Sequence, residues 1–166
     1  MPPAPAPRGL AEIRRAFGDV KIRIGAGRWE IVEPVNWEDN NCVVIPDFPG
    51  LGRKLYVHKL LVGPLRAALA LWQLRCPDYA IRTIGCFNPR PKRVVRACGL
   101  VGWDEGLSMH AVAGAVDINA DTNPMRTPLT CDMPAEFIAC FTDVGFTWGG
   151  KFPTPDPQHM QWASGY

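Results

Sequence analysis

The chain has 166 residues, of which 47% are hydrophobic and 20% charged, and its formal net charge is +2. These values predict one ordinary globular domain over residues 1–166, with a core that does not depend on disulfides. The small net charge argues against a nucleic-acid partner, and no apolar run reaches the roughly 18 residues that span a bilayer. We therefore expect a monomer without membrane insertion.

The first third of the chain predicts an arm, a helix and a hairpin. Residues 1–9 are rich in proline and alanine, which predicts a mobile extended arm, and they lack the apolar middle section of a secretory signal. Residues 10–17 have a helical pattern that ends at Gly18. Residues 21–24 and 29–32 alternate like strands around a turn at 25–27. Residues 36–52 are rich in Asn, Asp, Pro and Gly and predict a loop.

The remaining segments mix helices with short strands. Apolar residues at helical spacing predict a helix over 59–75, which Pro77 ends. Strands are predicted at 80–84, 114–120 and 159–162, with a long basic loop at 85–106. A second helix is predicted at 132–141, because Pro134 lies near its first position and Gly145 lies past its end. Since strands and helices do not alternate strictly, the predicted fold class is α+β with a small antiparallel sheet and flanking helices.

Six cysteines are present, and none forms a C-x-x-C pair. A structural zinc knuckle is therefore not indicated. We expect mostly free, buried thiols, which behave as small hydrophobic side chains. Cys86 and Cys98 flank a loop and are the pair to test first for a bond.

Two of the three histidines lie in sequence clusters that contain a carboxylate. In the first, Ser108-Met-His110 precedes a strand-like run that ends at Asp117. A charged residue between Val116 and Ile118 is costly to bury unless it is paired or binds a metal. Because His110 lies in the turn entering that strand, it can fold back beside Asp117.

The second cluster runs from Trp148-Gly-Gly to Asp156-Pro-Gln-His159. Two imidazoles and one carboxylate are the ligands that catalytic zinc prefers, and they leave a fourth position for water. Asp156 lies on the approach to the same site, where a carboxylate can exchange a proton with that water. Structural interpretations remain open: Asp156 between two prolines fits a turn, and His58 at the head of a helix fits a satisfied polar residue.

Together the clusters resemble the zinc D-alanyl-D-alanine carboxypeptidases and dipeptidases and the L-alanyl-D-glutamate endopeptidases of bacteriophage lysins. The family pattern S-x-H-x-x-G-x-A-x-D matches from Ser108 to Asp117, and W-G-G followed by D/E-x-x-H matches from Trp148 to His159. The resemblance covers about residues 81–161. One departure is Ala113, which stands where the family has glycine.

The resemblance implies a hedgehog/DD-peptidase-like fold and a set of roles. His110, Asp117 and His159 would bind Zn²⁺, and Asp156 would be the general base. An upstream arginine would hold the substrate and stabilise the oxyanion, and both Arg82 and Arg90 fit that place, with Arg90 slightly favoured. Ser108 and Trp148 would contact the substrate.

The implied function is hydrolysis of the stem peptide of bacterial peptidoglycan. The Asp at position 156, rather than Glu, resembles the phage branch, which predicts an endolysin that cleaves L-Ala–D-Glu. Such a protein is expected in the host cytoplasm until it is released to the periplasm and cell wall. Two alternatives stay open: a D-Ala-D-Ala carboxypeptidase, and a non-catalytic cell-wall-binding or virion protein on the same fold.

Overall fold

The structure is a computed structural model, and we describe its residues 5–46, 54–92 and 99–166. The helices of these residues are α1 (Gly9–Phe17), α2 (Trp37–Asn41), α3 (Val62–Arg75) and α4 (Ala135–Thr142). The strands are β1 (Lys21–Ile24), β2 (Trp29–Glu33), β3 (Cys42–Ile45), β4 (Leu55–His58), β5 (Ile84–Gly85), β6 (Ala115–Ile118), β7 (Thr147–Trp148) and β8 (His159–Gln161). Short 3-10 turns lie at Lys59–Leu61, Met109–Val112 and Gly149–Lys151.

A four-stranded sheet carries the residues of interest, and its strand order is β5-β6-β8-β7. All of its pairs are antiparallel, and the register places Asp117 of β6 directly opposite His159 of β8. Two separate hairpins, β1–β2 and β3–β4, complete the strands of the described residues. The predicted α+β class with a small antiparallel sheet is confirmed.

The core lies between the sheet and the helices. Val116, Ile118 and Met160 are fully buried on the sheet, while α3 contributes Leu65 and α4 contributes Phe137 to the same core. Burying a side chain of this size is worth about 1.5–3 kcal/mol. The strands of the site therefore rest on a packed layer that fixes their positions.

Most predicted elements are confirmed, with two corrections. The predicted loop at 36–52 is wrong for residues 37–45, which form α2 and β3; residues 47–52 lie outside the described part. Long-range contacts explain the error: the Trp37 indole N–H donates to the Phe17 carbonyl at 2.8 Å, and β3 pairs with β4. The strand predicted at 80–84 is limited to Ile84–Gly85, because the amides of Arg82 and Thr83 donate to the Asn119 side chain instead of a neighbouring strand.

The N-terminal segment is held down where it is described. The Pro7 carbonyl accepts from the Ser164 amide at 3.0 Å, and the Gly9 amide donates to the Ser164 carbonyl at 2.8 Å. The part of the predicted mobile arm that precedes α1 is therefore docked on the C-terminal segment. Residues 1–4 lie outside the described part.

The five described cysteines are free, as predicted, but of these Cys86 and Cys140 are buried while Cys42, Cys76 and Cys131 are only partly buried. The Sγ atoms of Cys76 and Cys140 lie 3.9 Å apart between α3 and α4. Cys98 lies outside the described residues, and with it the expectation about a pair with Cys86. No helix in the described ranges has both the length and the apolar character needed to cross a membrane.

Candidate metal centre

Three side chains that are far apart in the sequence meet at one point beside β6 and β8. The distance from His110 Nε2 to Asp117 Oδ1 is 3.0 Å, from His110 Nε2 to His159 Nδ1 3.0 Å, and from His159 Nδ1 to Asp117 Oδ1 3.1 Å. His110 and His159 are buried, and Asp117 is partly buried. The structure thus brings together the three ligands predicted from the sequence.

The local backbone explains how His110 reaches Asp117. The Ser108 hydroxyl accepts from the His110 amide at 3.2 Å and begins the 3-10 turn Met109–Val112. Ala113 then takes a left-handed conformation, with φ 49° and ψ 33°, which ends the turn and directs the chain into β6. A glycine adopts this conformation without strain, which is the physical reason for the glycine in the family pattern. The chain keeps the turn despite the alanine.

Hydrogen bonds behind the two imidazoles fix which nitrogen faces the centre. His110 Nδ1 lies 2.7 Å from the Cys86 carbonyl oxygen, which only accepts, so Nδ1 carries the proton. His159 Nε2 lies 3.0 Å from Gln161 Oε1, and the Gln161 amide nitrogen donates to the Ala163 carbonyl. His159 therefore donates from Nε2. The remaining nitrogens, Nε2 of His110 and Nδ1 of His159, present lone pairs to Asp117.

This arrangement fits a metal ion. Two neutral imidazole nitrogens and a carboxylate oxygen at mutual distances of 3.0–3.1 Å have no hydrogen between them, so a shared cation is the group that satisfies all three. Backing of ligand histidines by a carbonyl or carboxamide oxygen is the usual support in zinc sites. Two nitrogens and one oxygen are also the donor set of zinc hydrolases, which keep a further position open.

Asp117 is suited to be the anionic ligand. Burial raises its pKa, but a hydrogen on an imidazole nitrogen of His110 or His159 that faces it outweighs burial and holds the pKa below its ordinary value. A metal ion at the same point would shift the pKa in the same direction. The carboxylate is therefore ionised at neutral pH, as metal binding requires.

Asp156 lies beside the centre on a cavity of about 340 Å³, which His159 also lines. Burial raises the pKa of the Asp156 carboxyl, and the Gln158 Nε2 donor at 3.0 Å from its Oδ1 opposes part of that rise. A carboxyl group with a raised pKa is a better proton acceptor and a better later donor. Asp156 thus shares a cavity with His159, and its role as the general base stays a prediction.

The Trp-Gly-Gly sequence shapes the loop that holds Asp156. A Cβ at Gly149 would collide with the Asp156 carbonyl, and a Cβ at Gly150 would collide with the Trp148 ring. The Trp148 indole N–H donates to the Pro157 carbonyl at 2.8 Å, which closes the loop from the other side. Trp148 does not line the cavity, so its observed role is to anchor the loop. Its contact with a substrate stays a prediction.

The two candidate arginines are in different environments. Arg82 donates to Thr122 Oγ1 at 2.8 Å and pairs with Asp132 at 3.3 Å, and it does not line the cavity. Arg90 does line it, together with Ser108, and the Arg90 carbonyl accepts from the Ser108 amide at 3.0 Å. Of the two, Arg90 is the one that borders the cavity, and its contact with a substrate stays a prediction.

Gln161 is the supporting residue that the sequence reasoning missed. It lies two positions after His159 on the same strand, and alternation along a strand places both side chains on one face. The spacing of two residues from His159 is the sequence signal that could have identified Gln161. The other support, the carbonyl of Cys86, carries no side-chain signal in the sequence.

The donor set and the neighbouring acid define the class of site found in metal-dependent hydrolases. Residues 102–162 match a family model described as D-alanyl-D-alanine carboxypeptidase. The matched segment contains all three converging side chains and Asp156, which supports a peptidase that acts on peptidoglycan. A search of curated proteins found no significant match, and a search of solved structures found none either.

Proposed function

We propose that this protein is a zinc metallopeptidase that cleaves the L-Ala–D-Glu bond in the stem peptide of bacterial peptidoglycan, as phage endolysins do. The observation that carries the proposal is the convergence of His110, Asp117 and His159 beside a cavity lined by Asp156 and Arg90. The family match over the same residues supports wall peptide as the substrate class. As an endolysin, the protein would stay in the host cytoplasm until the membrane is breached.

Each residue has a distinct task in this reaction. A zinc ion held by the three ligands would supply Lewis acidity to the peptide carbonyl and to the attacking water. The Asp156 carboxylate takes the proton of that water and later delivers it to the leaving amine. The Arg90 guanidinium, on the same cavity, stabilises the negative charge that develops on the carbonyl oxygen.

Cleavage inside a chain requires room on both sides of the scissile bond. A groove of about 860 Å³ adjoins the cavity, since Arg90 and Lys92 line both. This open continuation favours an endopeptidase over an enzyme that removes a terminal residue. The second candidate, a D-Ala-D-Ala carboxypeptidase, is favoured by the description of the matching family.

The test is digestion of purified peptidoglycan by the zinc-loaded protein, followed by mass spectrometry. We expect new L-Ala carboxyl and D-Glu amino termini, which disappear when a chelator is present. Loss of only the terminal D-Ala would establish the carboxypeptidase instead. No product from several wall types would favour a binding role.

Asp156→Asn tests the general base. Because the amide cannot accept the proton, turnover should fall by roughly 10²–10⁴-fold while zinc content stays unchanged. Asp78→Asn is a matched control, since Asp78 is exposed and lies outside the cavity. Normal cleavage by Asp156→Asn would refute the assignment of the base.

A further inference from the structure

The groove beside the candidate metal centre has walls from three parts of the chain. Trp29 and Glu30 come from the β1–β2 hairpin, Glu38 from α2, and Phe87 from the segment that ends at Lys92. Its volume of about 860 Å³ lies within the roughly 300–1,000 Å³ of typical ligand sites. Arg90 and Lys92 belong to both this groove and the cavity of Asp156, so a bound chain can continue from one into the other.

The charges along the groove are not uniform. Arg90 and Lys92, at the end shared with the catalytic cavity, form no ion pair within the described residues. Besides them, two carboxylates and one guanidinium line the groove, those of Glu30, Glu38 and Arg28. Glu30 pairs with Arg28 at 3.2 Å, whereas Glu38 has no cation within 4.0 Å among the residues described.

Glu38 is an unusual carboxylate for a surface helix. It is partly buried, and burial raises its pKa, with repulsion from Asp39 adding to the rise. The charge of Arg28, which lines the same groove, opposes part of that rise without contacting Glu38 as an ion pair. A partly desolvated acid that has no cation in direct contact gains more from an incoming cation than a fully exposed acid does. The half-buried rings of Trp29 and Phe87 line the same groove and offer apolar surface to an alkyl chain that leads to such a cation.

We propose that this groove selects stem peptides with a free primary amine, which Glu38 binds as the ammonium while Arg90 and Lys92 receive the peptide carboxylate next to the scissile bond. This inference rests on the proposed function. A stem peptide carries a D-glutamyl carboxylate followed by a diamino acid, so it offers one anionic group to Arg90 and Lys92 and one cationic group to Glu38. Cross-linking converts that amine into an amide, so the protein prefers stems that are not yet cross-linked.

The test compares two synthetic peptides with the sequence L-Ala–γ-D-Glu–L-Lys, one with a free ε-amine and one with that amine acetylated. For the zinc-loaded protein, we expect KM to be roughly two- to fivefold lower for the free amine, which is the size of one partly exposed ion pair. The value of kcat should be the same for both. Glu38→Gln should remove the difference in KM.

Asp39→Asn is the matched control, because Asp39 is the next residue of the same helix, is exposed and does not line the groove. This variant should keep the preference for the free amine. Equal KM values in the unmodified protein, or a preference that survives Glu38→Gln, would overturn the proposal. So would an equal loss of preference in Asp39→Asn, which would indicate a general field rather than a contact.

A binding measurement separates failure of the inference from failure of the proposed function. If neither peptide is hydrolysed, the proposed cleavage is wrong, and calorimetric titration with the product D-Glu–L-Lys still tests the groove. The free-amine product should bind more tightly than its acetylated form, and Glu38→Gln should equalise the two. Equal binding of both forms to the unmodified protein would overturn the inference on its own.

Discussion

Two buried histidine environments in this molecule have opposite chemistry. His58 is 1% exposed and packs against Phe17 and Trp37, with ring centroids at 4.8 and 5.6 Å. Its Nδ1 accepts from the Leu60 amide, and its Nε2 has no hydrogen-bond partner among the described residues. His110 and His159 are similarly buried, but both ring nitrogens of each have polar neighbours. Burial alone therefore does not mark a ligand; converging lone pairs and a carboxylate do.

The largest expected difference between the two environments is in metal content. His159→Ala removes one of three ligands, so the protein should lose zinc, and hydrolysis should fall to the level of the metal-free protein. His58→Asn should keep both, since His58 touches none of the three ligand side chains. Zinc analysis and a hydrolysis assay on each variant provide the check. Full zinc stoichiometry in His159→Ala would contradict its assignment as a ligand.

The second largest expected effect is the contribution of His58 to the pH dependence of stability. Burial lowers the pKa of His58 from 6.5 to about 4, with the positive charge of Lys59 adding to the shift. Between these values the unfolded chain binds the proton and the folded chain does not, so stability rises with pH. The contribution is complete above pH 6.5 and is lost as the pH falls towards 4. The change in unfolding free energy is about 3 kcal/mol.

His58→Asn isolates this effect, because asparagine can still cap the 3-10 turn but does not titrate. Urea unfolding at several pH values should show a smaller loss of stability in the variant between pH 6.5 and 4 than in the unmodified protein. All other titratable groups are the same in both proteins, so their contribution cancels in the comparison. Identical pH profiles would show that His58 is not held neutral. The substitution should also lower stability at neutral pH by about 1–3 kcal/mol, because it leaves a gap in the core.

The next largest effect is expected from Gln161, whose side chain supports His159. Gln161→Leu removes the acceptor that orients His159, so zinc affinity should fall by roughly 10–100-fold. Gln158→Leu makes the same change at a residue that contacts Asp156 rather than a ligand, and it should leave zinc affinity unchanged. Competition with a chromogenic chelator measures both. An equal loss of affinity in the two variants would assign the effect to general disruption of the loop.

The three converging side chains could be predicted from the sequence because their identity, order and spacing are local properties. The turn before β6 and the alternation along the strand were enough to place His110 beside Asp117. The sequence could not decide which of Arg82 and Arg90 reaches the cavity. Both lie in one irregular segment, and only the contact of Arg82 with Thr122 and Asp132 shows that it is engaged elsewhere.

The helix and strand within residues 37–45 could not be predicted because they depend on contacts with distant parts of the chain. Residues 37–45 have the composition of a loop, but Trp37 is buried against α1 and β3 pairs with a strand that follows residues 47–53. The contact of Trp37 leaves no local pattern, and the apolar run at residues 42–45 is too short to identify its partner strand. The burial of His58 also depends on long-range contacts, because the Phe17 and Trp37 rings that pack against it belong to other elements. The sequence placed His58 correctly at the head of a helix, and its burial came from the fold.

Ala113 connects the two histidine environments and supports the smallest predicted effect. Its carbonyl accepts from the His58 amide at 3.0 Å, while its left-handed backbone positions the turn of His110. Ala113→Gly relieves strain of about 1–2 kcal/mol but loses a buried methyl worth about 0.8 kcal/mol and adds freedom to the unfolded chain. Stability should therefore stay within about 1 kcal/mol, with zinc affinity unchanged.

The neighbouring Gly114→Ala is the contrast, because its Cβ would lie 2.7 Å from the Met109 side chain and 3.0 Å from the Phe17 ring. Overpacking of this kind should cost about 1–3 kcal/mol. Thermal unfolding of both variants measures the difference. Since the carbonyl of residue 113 is present in alanine and glycine alike, the hydrogen bond to His58 survives, and the link between the two environments is a property of the backbone. A large loss of zinc affinity in Ala113→Gly would show instead that the methyl group itself holds His110 in place.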